Sequence, residues 1–197
     1  MKLSLKIPTL FLLGFSFFSP VKALAEQPFL AQTPLEVSGQ PLPWQVVTST
    51  EGKYVVDLPG TPTEQTSTST LLERDLRWHM GAVTLPAMND TDLFEYYLVA
   101  YADVPRSLRY EFSQRELLEA AAASIVNDIH DQQLNDTLVI EEIAFQGLPA
   151  QLLTAQGLGQ YLVATLSLTG DRFYLLLAID DDQANFEHFF NSLSLVP

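Results

Sequence analysis

Residues 160–179, Gln-Tyr-Leu-Val-Ala-Thr-Leu-Ser-Leu-Thr-Gly-Asp-Arg-Phe-Tyr-Leu-Leu-Leu-Ala-Ile, set the architecture of this chain. Leu162, Ala164, Leu166 and Leu168 alternate along the first half, at the period of a β-strand. Phe173, Leu175, Leu177 and Ile179 alternate along the second, with Tyr174, Leu176 and Ala178 opposite. Gly170-Asp171 between them is a two-residue hairpin loop. A strand apolar on both faces needs cover on both faces. The second strand is therefore expected at the centre of a sheet.

Working outward, strands are expected at 137–145 and 149–156, with turns at Gly147-Leu148-Pro149 and Gly157-Leu158-Gly159. Residues 93–102 form another two-sided strand: Phe94, Tyr96, Leu98 and Ala100 face one way, Tyr97, Val99 and Tyr101 the other. Residues 44–48 and 53–58 pair around Thr50-Glu51-Gly52. Residues 64–72 and 76–85 pair around Glu73-Arg74-Asp75, and the Thr-rich first arm suits an exposed strand. Pro86 to Asp92 is expected as a loop.

Two helices are signalled. Ser113 and Glu116 have the spacing of a capping box. Leu117, Ala121, Ile125 and Ile129 then recur every four residues, with Arg115, Glu119, Asn127 and Asp128 on the other side. Near the C-terminus Phe186, Phe189, Phe190 and Leu193 stand at i, i+3, i+4 and i+7. The order predicts an α+β fold. It is a mainly antiparallel sheet of about seven or eight strands, with one long helix and one C-terminal helix packed on it.

The N-terminus carries an address. Lys2 and Lys6 precede an apolar run from Ile7 to Phe18, and Ala23-Leu24-Ala25 fits a signal-peptidase site. The run would span about 18 Å as a helix, against about 30 Å of hydrocarbon, so cleavage before Glu26 is expected and not anchoring. No later segment is long and apolar enough to span. Residues 26–43 hold Pro28, Pro34, Pro41 and Pro43 and are expected as a linker; residues 44–197 form one domain. Cleavage removes Lys2, Lys6 and Lys22, leaving 7 Lys and Arg against 24 acids, a net charge of −17. That balance speaks against nucleic acid as a partner. Without Cys an exported chain relies on its core.

The segment Glu51-Gly52-Lys53-Tyr54-Val55-Val56-Asp57-Leu58-Pro59-Gly60 resembles the opening hairpin of the PsbP-like superfamily. So do the strand at Leu98-Val99-Ala100-Tyr101, the single long helix, the Gly170-Asp171-Arg172-Phe173-Tyr174 hairpin and the ending from Phe189 to Leu193. The order covers nearly all of residues 44–197 and is most similar in style to secreted cyanobacterial proteins. The resemblance implies an antiparallel sheet sandwiched by helices, and an extrinsic protein of a photosystem or a bacterial relative. Photosystem members dock partly through basic N-terminal residues; this chain has no Lys, Arg or His from Glu26 to Gly52.

The residue types suited to chemistry are few. His79, His130 and His188 are the histidines, and no HExxH or Gly-x-Ser-x-Gly pattern accompanies them. His130 suits a helix C-terminus for its charge alone. Asp180-Asp181-Asp182 offers oxygens to a hard cation, and equally offers caps to the helix that follows. Tyr96, Tyr97, Tyr101, Tyr161 and Tyr174 fall on adjacent strands, where they suit an apolar ligand cleft or a partner surface, or plain sheet packing. No Gly-rich phosphate loop and no cofactor motif occurs. The expectation is a non-enzymatic accessory protein of a periplasm or thylakoid lumen that binds a protein partner, with peripheral association to a membrane or photosynthetic complex. The alternative is a small apolar ligand or lipid-binding module using the tyrosine-lined sheet.

Overall fold

A computed structural model describes residues 44–86, 94–130, 138–157 and 160–196. The signal segment, the linker, most of the Pro86–Asp92 loop and the Gly157–Gly159 turn lie outside the described residues, as do the side chains of Asn127, Asp128, Ile129 and His130.

The chain order is β1 (Gln45–Ser49), β2 (Tyr54–Leu58), β3 (Thr63–Leu71), β4 (Arg74–Pro86), β5 (Phe94–Asp103), α1 (Arg106–Glu111), α2 (Gln114–His130), β6 (Val139–Phe145), β7 (Leu148–Gly157), β8 (Gln160–Thr169), β9 (Arg172–Asp180), α3 (Gln183–Ser192) and β10 (Ser194–Leu195). Seven strands form one antiparallel sheet in the order β3-β4-β5-β9-β8-β7-β6. The two-sided strands β5 and β9 are neighbours, and β9 is the middle strand of the seven. Odd and even residues divide as their alternation predicts. Phe173, Leu175, Leu177 and Ile179 enter a core with Leu117, Leu118, Ala121, Ala122 and Ile125 of α2. Tyr174, Leu176 and Ala178 enter a second core with Phe186, Phe189 and Leu193.

Three expectations are corrected. The sheet is not single: β1 and β2 pair with β10 in a separate three-stranded sheet, order β1-β2-β10, which covers the α3 side of the larger one. The short β10 had no sequence signal, because its partner β2 is about 140 residues earlier. Among the described residues the helices are three and not two; α1 is a single short segment that Leu108, fully buried, holds in the α2-side core. The β3–β4 turn is tighter than expected. Leu71 pairs with Arg74, so Leu72 and Glu73 alone make the loop, both with positive φ (49° and 64°). The register explains it. A one-residue slip would exchange Leu71 and Leu72 between faces, and the observed register keeps Leu71 with Leu76 in the core.

Other turns follow local chemistry. Gly170 takes a φ of 61°, as the first position of a II′ hairpin loop requires, and Thr169 pairs with Arg172. The loop between β6 and β7 is Gln146-Gly147 and not the expected Gly147-Leu148-Pro149: Leu148 pairs with Phe145, so Pro149 falls inside β7 opposite Ala144. The α2 start is the capping box its sequence predicts: the Ser113 N–H and hydroxyl donate to Glu116 Oε2 (both 2.7 Å), and the Glu116 N–H donates back to Ser113 Oγ (3.3 Å).

Candidate functional site

Tyr97, Tyr101, Tyr174, His79, His188 and the aspartate triplet, all singled out by the sequence, lie on the α3 side of the large sheet or at its end, in two groups. The first lies where β9 meets α3. Asp180 ends β9 and is fully buried. Its Oδ1 accepts from the N–H groups of Asp181 (2.6 Å) and Asp182 (2.8 Å), and its Oδ2 accepts from Asn185 Nδ2 (2.9 Å) and from the Tyr97 hydroxyl. A buried carboxylate is tolerable when its lone pairs are taken in this way. Burial first, and then the hydrogen bond to Asp180, push the Tyr97 hydroxyl far above the ordinary phenol value. Asp182 caps α3, accepting from the Ala184 N–H (2.9 Å). The aspartate triplet thus acts as a strand-to-helix corner. Among the described residues no group of three His, Cys, Asp or Glu side chains is arranged to hold a metal ion.

Beside this corner, Trp44 packs edge-on to Tyr97 (ring centroids 5.4 Å apart) and over His188 (4.4 Å). His188 Nε2 lies 3.1 Å from Asp57 Oδ2. The Asp57 N–H donates to Ser192 Oγ (2.9 Å), whose hydroxyl donates to the Phe189 carbonyl (2.7 Å). Asp, His and Ser are neighbours here, yet the serine proton goes to the backbone and not to the imidazole. The arrangement pins α3 to β2.

The second group lies at the other end of the strands. His79 stacks on Tyr101 (centroids 4.9 Å apart, planes 7° apart), directly opposite it across β4 and β5. The Arg172 guanidinium lies 4.7 Å from the Tyr101 ring centre. Arg172 Nε donates to Asp103 Oδ1 and its Nη1 to the Glu51 carbonyl, both at 2.6 Å. The Tyr174 hydroxyl donates to the Gly52 carbonyl (3.0 Å). Burial pushes the Tyr101 hydroxyl up to about 12, with Glu51 adding to the shift and Arg172 opposing it. Gly52 explains the Gly-x-Tyr pattern of the β1–β2 turn. A Cβ there would stand 2.5 Å from the Tyr54 ring and 2.8 Å from Ser49 Oγ, which accepts the Gly52 N–H.

Of the five tyrosines, Tyr97, Tyr101 and Tyr174 share this buried layer. Tyr96 points to the α2 side, where burial pushes its hydroxyl to about 12. Tyr161 is 47% exposed, opposite Asp180 in register. The five therefore do not share one surface. His79 and His188 sit in different groups. The Asp57–His188 pair and the Arg172 contacts were not anticipated, because they join residues 131 and 69 positions apart.

No family model and no curated protein matches the chain. Among solved structures it is similar to the solution structure of cyanobacterial PsbP (CyanoP) from Synechocystis sp. PCC 6803, at a TM-score of 0.48 and 10% sequence identity, covering 84% of this chain and 98% of that one.

Proposed function

We propose that this chain is a non-enzymatic accessory protein, exported to a periplasm or thylakoid lumen, that binds a protein partner at the edge of a membrane or photosynthetic complex. The observation that carries the reading is how its reactive side chains are held. Asp180 accepts four hydrogen bonds, Asp182 caps a helix, His188 is clamped between Trp44 and Asp57, and His79 is stacked on Tyr101. Groups so engaged hold elements together, and general acid–base work needs them aimed at a reactant. The N-terminal signal pattern and the PsbP-like order of elements read in the sequence support the address and the accessory role. No helix among the described residues is long and apolar enough to cross a membrane.

The test is co-purification of a C-terminally tagged chain from its own cells under gentle solubilisation, read by quantitative mass spectrometry. A membrane or photosynthetic complex at near-stoichiometric level is expected. A chain that emerges alone, or a pure protein with reproducible turnover, would overturn the reading.

A further inference from the structure

The two faces of the large sheet are not covered alike. On the α2 side the cover runs from β3 to β7. On the other side α3 and the small sheet pack over β4, β5 and β9 and reach β8 at Val163. Beyond β8 this core is joined by Phe145 at the end of β6, and the rest of β6 and β7 on this face is outside it. Leu152 of β7 and Ile143 of β6 are half-buried and belong to neither core, and Val139 at the sheet edge is 47% exposed. Register places Val163, Thr154 and Val139 in one row across the three strands, and Thr165, Leu152 and Glu141 in the next. The Thr165 hydroxyl is buried with no hydrogen-bond partner.

α3 forms the inner wall of this strip. His188 and Ser192 turn toward β2. At 100° per residue, Phe190 and Glu187 turn the opposite way, over the strip. At the far end the side-chain amide of Gln146 donates to the Leu193 carbonyl and closes the wedge. The open end lies toward Tyr161 and the start of α3, where Asp181 and Asp182 are exposed. Three strands are about 10–14 Å wide, the width of one helix with its side chains. The rim is acidic, with Glu141 on one side and Glu187 on the other, both exposed. The Lys and Arg residues of the chain after Lys22 are Lys53, Arg74, Arg77, Arg106, Arg109, Arg115 and Arg172. Arg115 reaches β6 from α2 and pairs with Glu142, and Arg172 is held by Asp103.

We infer that this wedge is the docking site for a cationic amphipathic helix of the partner protein, which would lie beside α3 and complete the layer. A floor one helix wide that carries Val163, Leu152 and Val139 beside Thr154, between acidic rims, fits a helix with an apolar stripe flanked by Lys or Arg. The inference rests on the accessory-protein reading and names the surface it uses.

The probe is a synthetic Leu/Lys amphipathic helix, with its Leu/Glu counterpart, titrated into the exported form of the chain and read by methyl NMR. The Leu/Lys peptide should shift the methyls of Ile143, Leu152 and Val163, and the Leu/Glu peptide should not. Glu141→Lys with Glu187→Lys should weaken binding about tenfold. Glu73→Lys with Asp75→Lys makes the same change in net charge at the other end of the sheet, and should change affinity less than about twofold. Val139→Ser keeps the charge and should weaken binding about threefold. Equal losses in the two double variants would mean general attraction to an acidic protein and overturn the inference. So would the same methyl shifts with a fatty acid and none with the peptide. In the co-purification, a partner retained by Glu141→Lys with Glu187→Lys sinks this docking site and leaves the accessory reading intact. A wild-type chain without a partner sinks that reading, whatever the peptide does.

Discussion

The two faces of the seven-stranded sheet are built from the same strands and held by different physics. The α2 face is mostly aliphatic, with Trp78 stacked on Phe173 at 6.1 Å. It is stabilised by area and fit. The α3 face carries Tyr54, Tyr97, Tyr101 and Tyr174 and is pinned by directional bonds: Tyr97 and Asn185 to Asp180, Tyr174 to the Gly52 carbonyl, His188 to Asp57. Area alone would let a three-stranded sheet and a ten-residue helix slide over β5 and β9. The pins at Asp180 and Tyr174 give that layer one position, because displacing them leaves a buried group without a partner. The face held by fit is covered nearly across; the pinned face is covered over half its width.

The largest effect should come from the fitted face. Phe173→Ala removes a fully buried ring beneath α2 and should cost about 3–5 kcal/mol in urea unfolding. A cost near 1 kcal/mol would mean the α2 face is looser than its burial implies. On the pinned face, Tyr97→Phe keeps the ring and removes one donor from Asp180, for a loss of about 1–3 kcal/mol. If Tyr97→Phe cost nothing, the contrast between fit and pins would fail. At the margin of the cover the sign should reverse. Thr165→Val replaces a buried hydroxyl without a partner by a methyl of similar size, and should stabilise by about 1 kcal/mol.

The last prediction compares the faces by titration. Tyr96 on the α2 side and Tyr101 on the α3 side are both pushed from 10.0 to about 12, by burial first. A phenol raised in the folded state contributes stability that is complete below its unfolded pKa and is lost as pH climbs through the folded one. Folding should therefore weaken between pH 10 and about 12. The part of the phenolate absorbance that Tyr96→Phe and Tyr101→Phe remove should rise late and together with the loss of near-ultraviolet circular dichroism. Ionisation of all tyrosines at pH 10 in the folded protein would contradict the burial of both.

Much of this was legible in the chain because it depends on neighbours in sequence. The alternation along Phe173–Ile179 is a period of two, and a strand apolar at both phases has few places to go but the centre. The Ser113–Glu116 box lies within one helical turn, and the Phe186-Phe189-Phe190-Leu193 stripe within three. The Leu72-Glu73 loop was missed because neither residue favours positive φ; the pairing of Leu71 and Leu76 with the core imposes it. The tyrosines illustrate both sides. Their strands were readable from the pattern, but whether Tyr97 reaches a carboxylate or solvent depends on Asp180, 83 residues on.

The sequence by itself determined the α+β class, the two-sided middle strands and the principal helices, since each follows from a local period or cap. The tertiary structure alone decided that β1, β2 and β10 form a sheet of their own. It also decided that Asp180 is an anchor and that one flank of the α3 side is left half covered. Those outcomes join residues more than eighty positions apart, or strands whose order no local pattern encodes. They are set by which apolar faces are left to bury once the local elements have formed.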